Sequence, residues 1–194
     1  MRRLAFATAL LAAALVTACG GDDDEPAEPV ATGASVTGFA FTGGGVADGQ
    51  PIDPRYTCDG DDVSPALAWA GVPAGTAELA LVVEDPDAPG GTFTHWLVYG
   101  VDPSVTALPE GVPVRADVAG PPALRQGVND MGAAGYGGPC PPGGEEHRYV
   151  FRLLALDEAL GLPDGVSRDD VLGALAGRVL AEARLTATYA HTVG

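Results

Sequence analysis

The apolar positions of this chain fall into short runs rather than helical stripes. Residues 78–85 (ELALVVED) form a nearly continuous apolar run, the pattern of a buried central strand. Residues 92–101 (TFTHWLVYGV) are rich in aromatic and β-branched side chains and predict a second strand. In HRYVFRLLAL (147–156) the pattern alternates, placing His147, Tyr149, Phe151 and Leu153 on one face and Arg148 and Arg152 on the other. A strand is expected over 35–41, followed by a Gly/Asp/Pro-rich stretch of turns from Thr42 to Pro65. Ser167 has the features of a helix N-cap, with Asp169 and Asp170 in the first turn, and the helix should run to about Ala176 with Gly177 as its stop. A last strand spans 181–189, with Ala183, Leu185, Ala187 and Tyr189 facing one way. Many strands, one clear helix and no regular β-α alternation predict a mainly β fold, an antiparallel β-sandwich with a peripheral helix.

Composition agrees: 28 Gly and 17 Pro imply many turns, and 46% hydrophobic residues suffice for a core. Charge changes the picture more. There are 26 acidic residues against 10 basic ones, and every basic residue is Arg, for a net charge of −16. Nucleic acid is excluded as a partner, because its recognition rests on clustered Lys and Arg.

The first residues read as an address. Met1-Arg2-Arg3 precedes an apolar run from Leu4 to Val16, too short for a bilayer span of about 20 residues but suited to a signal-peptide core. Val16-Thr17-Ala18-Cys19 resembles the lipobox of bacterial lipoproteins, which implies acylation of Cys19 and membrane anchoring in the cell envelope. Ordinary secretory cleavage after Ala18 is the alternative. Residues 20–32 (GGDDDEPAEPVAT) lack aromatic residues and are acidic, so a disordered spacer is expected. The expected organisation is a signal peptide over 1–18, a tether over 19–34 and one domain over 35–194.

Two segments concentrate Asp, His, Gly and Pro beside strong strands. Asp85-Pro86-Asp87-Ala88-Pro89 leaves the first strand, and His95-Trp96 lies inside the next. Tyr136-Gly137-Gly138-Pro139-Cys140-Pro141-Pro142-Gly143-Gly144 leads to His147-Arg148-Tyr149. Carboxylates at one strand's end and histidines just inside its neighbours can gather at one rim of a sheet. Taken alone, His95 can equally be a core histidine bonded to a carbonyl, and Tyr149, Trp69 and Trp96 read as core or pocket wall.

DPDAP, His95 followed by a bulky residue and Leu97-Val98, then GGPCPP and HRY in that order, resemble the two signature regions of the phosphatidylethanolamine-binding protein (PEBP) family. Tyr56-Thr57-Cys58-Asp59-Gly60, Ser64-Pro65 and Leu67-Ala68-Trp69 resemble the N-terminal signature of its bacterial, Raf-kinase-inhibitor-like branch of YbhB/YbcL type. The resemblance covers about Val36 to Tyr189. It implies a large central antiparallel sheet on a smaller one, and a small pocket for phosphate-type anions or phospholipid head groups. Residue by residue it implies a ligand site of Asp85, His95, Gly138, His147 and Tyr149, with Asp87, Pro89 and Pro141 at the mouth. The imidazoles, a Gly N–H and the Tyr hydroxyl would donate to anion oxygens, while a carboxylate orients an imidazole and favours its protonated form. Two departures stand out: Gly143-Gly144-Glu145-Glu146 is about one residue longer than the family pattern, and its acidic pair is odd beside an anion pocket, where it would either weaken anion binding or favour a cationic moiety such as an amine.

The resemblance also brings Cys58 and Cys140 to one end of the domain, so that a disulfide or two separate thiols are both open. Nothing has zinc-ligand spacing, and His191 reads as a solvent-exposed residue without a role. The leading function is a non-enzymatic binding protein without a cofactor, possessing an anion pocket and regulatory or inhibitory toward a protein partner that the sequence does not identify. The alternative is a metal-dependent enzyme using Asp85, His95 and His147 as a two-His-one-carboxylate site. Nothing points to a serine hydrolase: Gly-x-Ser-x-Gly is absent and Ser64 is followed by Pro.

Overall fold

A computed structural model describes residues 38–191; the signal segment, Cys19, the spacer and the boundaries expected near residues 18 and 34 lie outside the described residues. Among the described residues, nine strands form two antiparallel sheets. The smaller sheet joins β1 (Ala40–Gly43), β2 (Leu67–Ala70) and β5 (Ala107–Leu108) in the order β1-β2-β5. The larger contains β3 (Glu78–Asp85), β4 (Phe93–Val101), β6 (Asp117–Val118), β7 (Leu124–Gln126), β8 (Glu146–Leu156) and β9 (Val179–Ala190), in the order β6-β7-β4-β3-β8-β9. The mainly β sandwich with one helix, expected from the pattern, is the observed architecture.

The apolar run of β3 has a simple cause, because both faces of this central strand are covered. Leu79, Leu81 and Val83 enter the core between the sheets with Phe41, Trp69, Trp96 and Phe151. Ala80 and Val82 point the other way, into a second cluster beneath helix α1 (Arg168–Leu175), with Leu97, Tyr99, Leu154, Val171 and Leu175. The helix starts as expected: Ser167 Oγ accepts from the Asp170 N–H, and Asp169 and Asp170 occupy the first turn. β9 alternates with Ala183, Leu185, Ala187 and Tyr189 buried, also as expected. Of the strand expected over 35–41, residues 35–37 lie outside the described residues; Gly38 and Phe39 are turn and coil, and β1 begins at Ala40. Short β5, β6 and β7 carry no periodicity of their own; β5 and β7 are defined by their partners Leu67–Ala68 and Val98–Tyr99, and β6 by Leu124–Arg125 of β7. Both indoles are core, since Trp69 Nε1 donates to the Val105 carbonyl at 2.7 Å and Trp96 Nε1 to Gln126 Oε1 at 2.6 Å.

Candidate functional site

Antiparallel pairing brings the polar motifs together. The end of β3 lies beside the start of β4 (Asp85 opposite Phe93) and the start of β8 (Glu84 opposite Val150). Asp85, His95, His147 and Tyr149 therefore share one rim of three adjacent strands, and all four are buried. Alternation along β8 turns His147 and Tyr149 to the inter-sheet side, the side that Asp85 shares with Leu81 and Val83.

His95 arrives there by a different route. Val83 pairs with Trp96 but Glu84 pairs with Thr94, so His95 is the extra residue of a β-bulge. Strict alternation would place His95 and Trp96 on opposite faces. The bulge lets both turn inward: His95 stacks edge-on against Tyr149 with centroids 5.2 Å apart, and Trp96 against Tyr136 at 5.5 Å.

The hydrogen bonds of the site are directional. His147 Nδ1 donates to Asp85 Oδ2 at 2.7 Å, and Asp85 Oδ1 accepts the Asp87 N–H at 2.8 Å, closing an Asx turn through Pro86. His95 Nδ1 donates to the Gly137 carbonyl at 2.8 Å, while the Gly137 N–H returns a bond to the His95 carbonyl at 3.1 Å. Each imidazole thus spends Nδ1 on the protein and leaves Nε2 for other chemistry. Burial holds the His95 pKa below its ordinary value and outweighs the Gly137 carbonyl and the Asp85, Asp130 and Asp62 carboxylates that act the other way. The carboxylates do favour the charged imidazole, as expected, but at His95 desolvation is the larger effect.

Tyr149 is the distinctive member. Its hydroxyl is fully buried and, among the described residues, has no hydrogen-bond partner. Burial and then the Asp85 carboxylate raise its pKa, yet no hydrogen bond of normal geometry joins the two.

The remaining expected residues divide. Asp87 is gripped by Arg148: its Oδ2 accepts from the Arg148 backbone N–H at 2.9 Å and Nε at 2.8 Å, and its Oδ1 from a terminal guanidinium nitrogen at 2.6 Å. These bonds hold the Asp87 pKa down to about 2. Pro89 is exposed on the β3–β4 turn, and buried Pro141 precedes the tight 3-10 turn at Pro142–Gly144. That turn absorbs the extra loop length through the positive φ of Gly143 (66°) and Gly144 (78°). Gly138 departs from its expected role. Its N–H donates to Asp62 Oδ1 at 2.7 Å, and a Cβ here would collide with the Tyr56 carbonyl at 2.6 Å, so this glycine serves a close loop–loop contact and its N–H is not offered to an anion.

Sequence reading missed Asn129 and gave Arg148 no role. Buried Asn129 accepts from the Met131 and Ala133 N–H groups, both at 3.0 Å, and donates to the Gly135 and His95 carbonyls at 3.0 and 3.3 Å, shaping the loop that carries Gly137. The Asn129-Asp130 step before Gly132 was the available signal, a turn former of the kind that bonds its own backbone. Glu145, exposed, places Oε2 4.0 Å from His147 Nε2. Cys58 and Cys140 are joined by a disulfide with Cα atoms 5.5 Å apart, and the neighbouring Cys58 N–H donates to the Pro139 carbonyl at 3.1 Å. His191 is partly buried and paired with Asp59 at 2.7 Å.

Comparison with known proteins decides the family. The family model described as phosphatidylethanolamine-binding protein matches residues 42–190. The chain belongs to the PEBP family. Among its PEBP relatives are two proteins named UPF0098: one from Methanothermobacter thermautotrophicus, 50% identical over 138 residues (71% of this chain, 89% of the relative), and one from Aquifex aeolicus, 48% identical over 144 residues (73% and 82%). Among solved structures, E. coli YbcL, described as a new member of the mammalian PEBP family, matches with a TM-score of 0.73 and 35% identity over 79% of this chain and 99% of its own. The PEBP homologue CT736 of Chlamydia trachomatis matches with a TM-score of 0.71 and 36% identity over 81% and 100%.

Proposed function

We propose that this PEBP-family chain is a non-enzymatic binding protein that takes a small phosphate-type anion, free or as a phospholipid head group, at the rim formed by Asp85, His95, His147 and Tyr149. The observation that carries the reading is the buried Tyr149 hydroxyl, which has no hydrogen-bond partner among the described residues. A buried donor left unpaired costs about 1–3 kcal/mol, and a ligand oxygen at this position relieves that cost. Two Nε2 atoms complete the set, each imidazole being oriented through Nδ1 by a protein acceptor. Glu145 beside His147 Nε2 suits a ligand whose other end is cationic, such as an ethanolamine head group.

The metal-enzyme alternative finds less support. Both Asp85 oxygens already accept hydrogen bonds, and among the described residues the atoms of Asp85, His95 and His147 do not form a metal-sized cluster. Acylation at Cys19, anchoring in the cell envelope and control of a partner protein complete the proposal.

Calorimetric titration with inorganic phosphate and with phosphorylethanolamine tests it. His147→Ala removes a charge-assisted bond and should weaken binding on the order of tenfold to a hundredfold. Failure of the wild type to bind either compound between about pH 5 and 8, the range in which imidazoles titrate, refutes the anion-site reading.

A further inference from the structure

A second chemical cluster lies on the described surface, in residues whose spacing along the chain conceals it. Cys58 and Cys140 are 82 residues apart, and His191 follows 51 residues after Cys140. Folding nonetheless places both sulfurs and an imidazole nitrogen of His191 within 4.8 Å of one another. Cys58 Sγ lies 3.8 Å from His191 Nδ1. In tetrahedral zinc coordination, with bonds of about 2.3 Å to sulfur and 2.0–2.1 Å to nitrogen, the S···N edge is about 3.6 Å and the S···S edge about 3.8 Å. The His191–Cys58 separation is thus close to a coordination edge already, and the two sulfurs part when their bond is reduced. Asp59 holds the His191 ring through Nδ1 at 2.7 Å and is held in turn by the Tyr189 hydroxyl. Both cysteines are exposed, so reductant and cation have access.

We propose that, once the Cys58–Cys140 bridge is reduced, Cys58, Cys140 and His191 hold a thiophilic divalent cation of the zinc class. The steps balance with a dithiol as reductant. It delivers two electrons and two protons, the S–S bond breaks into two thiols, and the reductant leaves as its own disulfide. Binding then releases the two thiol protons to solvent, because the thiolate is the ligand. His191 turns the Nδ1 lone pair to the cation and carries its proton on Nε2. The Asp59 carboxylate, left beside the coordinated nitrogen, adds favourable negative charge. Solvent completes the coordination shell. The bridged and metal-bound forms are mutually exclusive, since both use the same two sulfurs.

The experiment uses the full chain carrying Cys19→Ala, so that two thiols remain, in detergent. It is reduced with a dithiol, freed of reductant without air, and titrated with Zn²⁺, and in parallel with Cd²⁺ for its sulfur-to-metal charge-transfer absorption. One equivalent should bind, protecting both thiols from alkylation, whereas the bridged protein should take up none at this site. His191→Ala should lower the zinc affinity by at least the roughly tenfold to hundredfold seen when a site's supporting residues are lost. Near-UV circular dichroism follows folding throughout. If reduction loosens the domain, recovery of the native spectrum at one equivalent in the parent, and its failure in His191→Ala, supports the site. Absence of stoichiometric binding, or equal affinity in His191→Ala, overturns it. Neither result bears on phosphate binding by the bridged protein, so the two proposals fail separately.

Discussion

Tyr149→Phe separates a ligand site from an ordinary core position, because the two assign opposite signs to its effects. The substitution deletes one oxygen and keeps the ring that packs against His95 at 5.2 Å. The deleted hydroxyl is buried and, among the described residues, without a hydrogen-bond partner. Removing such a group relieves a desolvation penalty of about 1–3 kcal/mol, so the ligand-free variant should be more stable, by about 1 kcal/mol or more. For a domain of this size that corresponds to a rise in Tm of about 2–4 °C for each kcal/mol. With ligand the sign reverses. A hydrogen bond to a charged acceptor contributes about 1.5–3 kcal/mol, so phosphate affinity should fall by roughly tenfold to 150-fold. Urea unfolding of phosphate-free protein and calorimetric titration measure the two effects independently. Loss of stability with unchanged affinity would show that the hydroxyl supports the fold, and the reasoning would fail.

Glu145→Gln should strengthen phosphate binding. An anion about 5 Å from this exposed carboxylate, in water-like dielectric, is repelled by about 0.8 kcal/mol, so a roughly fourfold gain is expected at low salt and little at high salt. Because burial lowers the His95 pKa, the folded state disfavours its proton. The resulting contribution to stability is full above the unfolded value of about 6.5 and is lost as pH falls below it, so urea midpoints should drop less steeply in His95→Gln. Phosphate affinity should rise over that same acid range as Nε2 gains a proton, and calorimetry that shows no rise would count against His95 as a donor. The Cys58–Cys140 bridge closes a long loop, with a sequence separation of 82, so the double Ala variant should lose about 2–4 kcal/mol in chemical unfolding.

Much of this protein was legible in its sequence because periodicity is a local property. The unbroken apolar run of 78–85 announced a strand covered on both faces, and alternation from His147 put Tyr149 on the core side. Ser167 and its two acidic followers marked the helix start. The family resemblance carried by the polar motifs at the exits of these strands implied Asp85, His147 and Tyr149 as site residues without any knowledge of their distances. Tertiary structure alone decided the rest. A single extra residue against β3 turned His95 to the same side as Trp96, an outcome that alternation forbids and only cross-strand register can produce. The Gly138 N–H went to Asp62, a residue 76 positions away that no local pattern could connect with it. Burial lowered the His95 pKa against its neighbouring carboxylates. The grouping of Cys58, Cys140 and His191 likewise exists only in three dimensions. Side-chain periodicity follows from the backbone geometry of one segment, whereas bulges, loop contacts and desolvation depend on which distant segments come to lie beside it.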